Sequence, residues 1–403
     1  MPKMTENNIP KHWQIKKLGE ICGIAYGKGL PVKELKPSGF PVFGANGIIG
    51  FNDKYLFEEP QVLISCRGAA SGKINLSPPK CYVTNNSLVL DIKKKNELDK
   101  TYLYYALSIA KKTKLVTGTA QPQVTINNAI ELDISFPTLP EQQAIVSKIE
   151  ELLSDLDNGK QQLLAAQQQL KVYRQSLLKW AFEGKLTNNN VKDGELPEGW
   201  KWVKIIDIVE NNKNSLKAGP FGSSLKKEFY VKDGYKIYGQ EQVIIDDAFF
   251  GDYYINEKKY QELKTCQIKP SDILISLVGT VGKVLILPDN CKKGVINPRL
   301  IKISLNKEIY LHKFFKYYFE SSSVKNFYSS KAQGTTMDVL NIGIIKTIPF
   351  PLPQLEEQQI IVDELESKLT VCDKIEETIS QSMLQAETLR QSILKKAFEG
   401  KLI

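Results

Sequence analysis

The segment GAASGKI at 68–74 sets a lysine beside glycines, as a phosphate-cradling loop would. Such a loop needs four residues between its glycines and a Ser or Thr after the lysine to hold magnesium. Here three residues intervene and Ile74 follows Lys73, while the parallel segment GTVGKV at 279–284 is shorter still, so nucleotide binding is rejected. General-base chemistry has little to work with, because His12 and His312 are the only histidines and both read as structural or surface residues. The six cysteines (Cys22, Cys66, Cys81, Cys266, Cys291 and Cys372) form no C-x-x-C pair, which disfavours zinc and favours buried reduced thiols. No G-x-G-x-x-G follows a strand and no acidic-Pro-Pro-aromatic motif occurs, so no methyl-donor site is expected. The expectation is a chain with no catalytic residue, no metal and no cofactor.

What remains is binding chemistry. Arginine occurs four times, and Arg67 and Arg299 lie one in each half, where a bidentate contact to guanine or a contact to phosphate is open beside a structural ion pair. Lys28, Lys73, Lys217, Lys226, Lys227 and Lys283 lie in or next to Gly-rich loops and are candidates for phosphate. Asn46, Gln121, Gln123, Ser223, Ser224, Gln240 and Gln333 are the polar candidates for reading base edges. Charge placement agrees: residues 357–402 hold nine acids against six bases and 141–186 hold six of each, so the other residues carry a surplus of 12 positive charges within a net +9. A basic surplus confined to certain segments suits a polyanion.

The elements that position these residues come as a repeat. AFEGKL at 181–186 recurs at 397–402, RQS at 174–176 recurs at 390–392, and EQQ at 141–143 recurs at 357–359, all at an offset of 216 residues. The register extends back to Gly118-Thr119 against Gly334-Thr335. The beginnings of the halves also echo, IPKHWQIKKLGEI (9–21) against LPEGWKWVKIIDI (196–208), as do VLISCRGAASGKI (62–74) and ILISLVGTVGKV (273–284). The second half is longer, with its extra residues between these anchors.

Ile145, Ile149, Leu152, Leu156, Gly159, Leu163, Ala166, Leu170, Tyr173, Leu177 and Trp180 alternate steps of four and three, which predicts a coiled-coil seam. The second copy (Ile361, Leu365, Cys372, Ile375, Ile379, Ala386, Leu389, Ile393) is interrupted by Lys368 and Ser382. Prolines 137, 140, 351 and 353 stand at the starts, and Gly184 and Gly400 at the expected C-terminal caps. Arg174 and Arg390 are repeat mates on these helices and suit salt bridges between them or contacts to a partner. If the helices pair antiparallel, two like domains are held apart by a rigid spacer about a pseudo-two-fold axis. FPVFGANGIIGF (40–51), PQVLISC (60–66), DILISLV (272–278) and KVLILP (283–288) read as strands, and 101–112 and 308–323 as helices.

FPVFGANGIIG, VLISCRGAASGK, TGTAQPQVTINN, FPTLPEQQAIVSKIEELL and GPFGSSLKK, with the helices ending in AFEGKL, resemble the specificity subunits of type I restriction-modification systems over essentially the whole chain. The resemblance implies an α+β fold, with two mixed α/β target-recognition domains in tandem and two long antiparallel coiled-coil helices. The boundaries read as domain 1 at 1–137, spacer helix 1 at 138–187, domain 2 at 188–353 and spacer helix 2 at 354–403. It also implies an asymmetric bipartite double-stranded DNA target, two methyltransferase (M) subunits that carry the methyl donor and flip the adenine, and restriction (R) subunits that use ATP and cut. Two readings stand beside it: a recognition scaffold of another defence system, and a specificity module of a fused methyltransferase or nuclease. No apolar run is long enough to span a bilayer and the N-terminus lacks a signal-peptide core, so a cytoplasmic soluble protein is expected.

Overall fold

The computed structural model describes residues 9–110, 115–117, 122–188, 190–192, 194–331 and 340–403. The chain divides into two compact units, one of Met1–Leu164 with Ser380–Ile403 and one of Ala165–Ile379. Each unit is built on a four-stranded antiparallel sheet of one topology. In the first, the strands run in the order Cys22–Tyr26, Ser87–Ile92, Val62–Ser65, Ile74–Leu76. In the second, the order is Leu216–Ala218, Leu300–Ile303, Ile273–Ser276, Val284–Ile286. Apolar runs such as Val62–Ile64 and Ile273–Ile275 are buried on both faces, which is why they read as continuous rather than alternating hydrophobic strings.

A smaller sheet lies on each. Phe40–Phe43 runs parallel to Tyr82–Val83 in the first unit, and Tyr235–Tyr238 runs parallel to Gly294–Ile296 in the second. The first unit follows with a hairpin strand, Ile48–Asn52. The second has instead a short helix, Gln240–Ile245, a strand at Tyr254–Ile255 and a helix at Glu257–Glu262. Most of the extra length of the second half resides there. The helix expected over 308–323 stops at Phe319, and a second begins at Ser322. Glu320 at the break accepts the Val284 N–H at 2.9 Å, which ties the end of the first helix to the fourth strand of the sheet.

The two long helices, Leu139–Phe182 and Leu355–Phe398, have 44 residues each, about 66 Å at 1.5 Å per residue. Each unit takes the start of one and the end of the other. The first core buries Ile145, Ile149 and Leu153 with Ile393, Ala397 and Phe398. The second buries Ile361, Val362 and Leu365 with Leu177, Ala181 and Phe182. The antiparallel pairing is pinned by ion pairs that are themselves repeat mates: Arg390 to Asp157 at 3.0 Å in the first unit, Arg174 to Asp373 at 2.6 Å in the second.

The seam itself differs from its expected form. One heptad position is covered, through Ile149, Leu156, Leu163, Leu170 and Leu177 and through Leu365, Cys372, Ile379, Ala386 and Ile393. At the other position Tyr173, Trp180, Ile375 and Leu389 are exposed. The globular cores take the helix ends on a stripe that includes Leu153 and Val362 and keeps Ile145 and Ile361 of that position buried, so only part of the alternate seam position faces solvent.

The repeated EQQ motif is the clamp between helix and domain. Gln142 is fully buried; its amide donates to the carbonyls of Glu97 (3.0 Å) and Pro137 (2.9 Å) and its oxygen accepts the Asp99 N–H at 2.8 Å. Gln358 repeats this with Ile309, Pro353 and Leu311. The preceding glutamates receive the tryptophans that open each half, Trp13 to Glu141 at 3.4 Å and Trp200 to Glu357 at 2.8 Å. His12 also meets Glu141 at 2.7 Å, and with Thr138 it holds that carboxyl down at about 2. His312 is a half-buried helix residue whose pKa is lowered by burial. Replacing Gln142 by alanine strands three backbone groups, one buried and two part-buried, so a loss of about 3 kcal/mol is expected in a denaturant titration. Gln143→Ala, on the exposed side, should change stability by less than about 0.5 kcal/mol.

The AFEGKL motifs close each unit. Gly184 and Gly400 have φ of +75° and +65°, the left-handed caps expected of them. A Cβ on Gly184 would lie 2.1 Å from Pro197 Cγ, and one on Gly400 would lie 2.2 Å from Pro10 Cγ. The first motif therefore seats against the residues just after it, and the second against the opening residues of the chain.

Candidate nucleic-acid interface

Strand register brings the candidate residues together. In the first unit Tyr26 lies opposite Leu88, Ser65 opposite Ser87 and Ile64 opposite Ile74, so these residues mark one end of the sheet. Lys28 follows the first strand, Arg67 the third, and Lys73 precedes the fourth, and all three are exposed at that end. Arg67 pairs with Gln123 in an antiparallel bridge, supported by Val124 N–H to the Cys66 carbonyl (3.0 Å) and Ser71 Oγ to the Pro122 carbonyl (2.6 Å). Asn46 is exposed on the 44–47 turn, whose carbonyls accept the Ser87 hydroxyl (2.8 Å) and the Ser65 hydroxyl. Thus Lys28, Asn46, Arg67, Lys73 and Gln123 share one rim. Gln121 lies outside the described residues.

The second unit has the equivalent rim, because Ser276 faces Leu300 and Ala218 faces Ile301. Arg299 is exposed there, its N–H bonded to Asn297 Oδ1 at 2.9 Å. Ser223 and Ser224 form the 3-10 turn Gly222–Ser224 on the loop leaving the first strand, followed by exposed Lys226, 3.8 Å from Glu228, and exposed Lys227. Three candidates have structural ties. Lys283 lies 3.6 Å from Glu320, the Gln240 amide donates to the Val278 carbonyl, and Lys217 is half-buried within its strand opposite Lys302. Gln333 lies outside the described residues.

One close approach shapes both rims. A Cβ on Gly27 would meet the Thr84 carbonyl oxygen at 2.3 Å, and one on Gly219 would meet that of Asn297 at 1.8 Å. Glycine at these points lets the loop leaving the strand cross the segment entering the neighbouring strand. That crossing segment carries Arg299 in the second unit and, in the first, Asn86, which the sequence did not single out. Cys66 N–H donates to the Asn86 carbonyl at 2.9 Å and Leu277 N–H to the Arg299 carbonyl at 3.0 Å, so Asn86 and Arg299 hold the same place. The echo of VLISC with ILISL was visible in the sequence; the partner strand facing it was not.

The six cysteines are free, and five are buried. Burial pushes the Cys22 thiol up to about 12 and Cys81 to about 11, away from nucleophilic thiolate chemistry. Among the described residues no group of His, Cys, Asp and Glu is placed to hold a metal, and no helix is long and apolar enough to cross a membrane.

A pair of repeated sheet domains, each with a polar rim and joined by long antiparallel helix segments, defines the class. The type I restriction modification DNA specificity domain matches residues 10–166 and again 197–385, and the chain belongs to this family. It is 24% identical over 387 residues to the type I restriction enzyme MjaVIII specificity subunit of Methanocaldococcus jannaschii, covering 89% of this chain and 86% of that one. It is also 24% identical over 438 residues to the EcoDI specificity subunit of Escherichia coli, covering 99% and 90%. The fold is shared with a chain from a type I restriction-modification complex (TM-score 0.71, 19% identity, 98% and 99% covered). It is shared as well with the HsdS subunit of Thermoanaerobacter tengcongensis (TM-score 0.60, 19% identity, 98% of each).

Proposed function

We propose that this specificity subunit reads an asymmetric bipartite double-stranded DNA target, one half-site per domain, and is not itself catalytic. The observation that carries the reading is one scaffold used twice with different side chains at the rim. Arg67 and Gln123 stand at the first, and Arg299 and the 219–227 loop at the second. Sheets of one topology with unlike rims suit unlike half-sites, since base edges are distinguished by the donors and acceptors set against them.

The long helices set the gap between half-sites and dock two methyltransferase subunits, with restriction subunits joining that core. The exposed seam residues Tyr173, Trp180, Ile375 and Leu389 support docking, because apolar groups aligned on a helix suit partner helices. Exchanging residues 1–137 for those of another family member, followed by methylome mapping of the host, tests the reading. A change in one half-site with the other half-site and the gap retained is expected; a change in both, or in neither, would count against it.

A further inference from the structure

Among the described residues, the two most exposed large hydrophobic side chains of the chain are Phe221, 87% exposed, and Val32, 81% exposed. They occupy corresponding loops, each leaving the first strand of its four-stranded sheet. Each follows a proline (Pro220, Pro31), Phe221 precedes the 3-10 turn Gly222–Ser224 while Val32 opens the turn Val32–Glu34, and each turn is capped by a leucine (Leu225, Leu35).

Phe221 is held out, not left loose. Two residues before it, Gly219 is pressed onto Asn297, and the Gly219 N–H donates to the Leu300 carbonyl at 2.9 Å. Its own carbonyl accepts the Ser224 N–H at 2.8 Å, and four residues later Leu225 is buried in the core of the smaller sheet. Gly219 and Asn297 bring the loop that carries Phe221 against the crossing segment that carries Arg299. The surrounding sequence is basic, with Lys213, Lys217, Lys226, Lys227 and Lys232 against Glu228 over 213–232. A phenyl ring kept in water on a braced turn, in a stretch of chain rich in lysine, is set for a polyanion that also offers apolar surface. Duplex DNA does so through thymine methyls and base edges.

We infer that Phe221 is a base-contacting, specificity-determining residue of the second domain, its ring buried against base edges while the lysines around it meet phosphate. This rests on the proposal that the rim reads DNA, and it adds an apolar contact to a site otherwise chosen from polar residues.

The test uses the methyltransferase complex assembled with the full-length chain and a duplex carrying the methylome-mapped target. Phe221→Ala should weaken specific binding about ten- to hundredfold, the scale of losing one buried aromatic contact. It should relax discrimination at the second half-site, and leave complex assembly and the salt dependence of binding unchanged, because no charge is removed. Phe221→Leu should recover part of the affinity. Lys226→Ala with Lys227→Ala should instead lower the salt slope and spare discrimination. If Phe221→Ala binds and discriminates as the parent does while Arg299→Ala is impaired, the Phe221 inference fails and the DNA reading stands. If Phe221→Ala loses DNA only because the complex no longer assembles, the ring serves a protein contact and the inference fails likewise. If neither Phe221→Ala, nor Arg299→Ala, nor the double lysine change alters binding, the reading of the rim fails with it.

Discussion

Arg67→Ala is expected to relax discrimination at the first half-site alone, and Arg299→Ala at the second alone, each lowering methylation of the target by the assembled complex about 10- to 100-fold. The magnitude follows from about 1–3 kcal/mol for a bidentate arginine contact to a base edge. Both guanidiniums are exposed at the end of a sheet whose strands are buried, so substitution leaves the scaffold intact and the effect is one on recognition. Lysine should not rescue either position, because an ammonium cannot reproduce the planar fork that grips two acceptors. Lys28→Ala gives the contrast. A phosphate contact weakens all sequences alike and reduces the salt slope by about one unit. Methylation rates on duplexes altered in one half-site at a time separate the outcomes. Equal losses at both half-sites from either arginine would show that these residues act on the charge of DNA and not on its sequence.

The two arginines also show how far the sequence could be read. That Arg67 follows VLISC, a string echoed by ILISL in the second half, was within reach of the sequence. That the two arginines come from different strand junctions was not, because strand order is set by pairing between segments dozens of residues apart. The same limit hid the work of EQQ and AFEGKL. Both were legible as repeats, but several of their partners (Trp13 for Glu141, Trp200 for Glu357, Pro10 for Gly400) are more than a hundred residues away. Type and spacing alone could not separate Lys28, at the rim, from Lys283, beside Glu320. The seam was legible in period and wrong in part. A 3.5-residue repeat cannot tell which apolar residues face the other helix and which face a globular core or solvent, and Tyr173 and Trp180 are exposed for that reason.

The helices carry the second large prediction, a change of target without a change of either rim. Each passes uninterrupted from one unit to the other, crossing at Leu164/Ala165 and at Ile379/Ser380. Leu163 and Ile379 are repeat mates, so the crossings fall within about one residue of matching points of the repeat. Four residues inserted after Leu163 add about 6 Å of helix, close to two base pairs at 3.4 Å each. The ion pairs that pin the helices lie on either side of that point, Arg390 to Asp157 within the first unit and Arg174 to Asp373 within the second, so each can persist. An insertion in one helix leaves the rods unequal, and a four-residue step in a seven-residue repeat locally unwinds the pairing. A matched insertion after Ile379 restores equal lengths. The expected methylome for the matched variant keeps both half-sites and widens the gap by about two base pairs, with the parental site no longer methylated; the Leu163 insertion alone should widen the gap at some cost in stability. A retained parental gap in the matched variant, with the protein folded and the complex assembled, would show that the distance between half-sites is set elsewhere than in these helices.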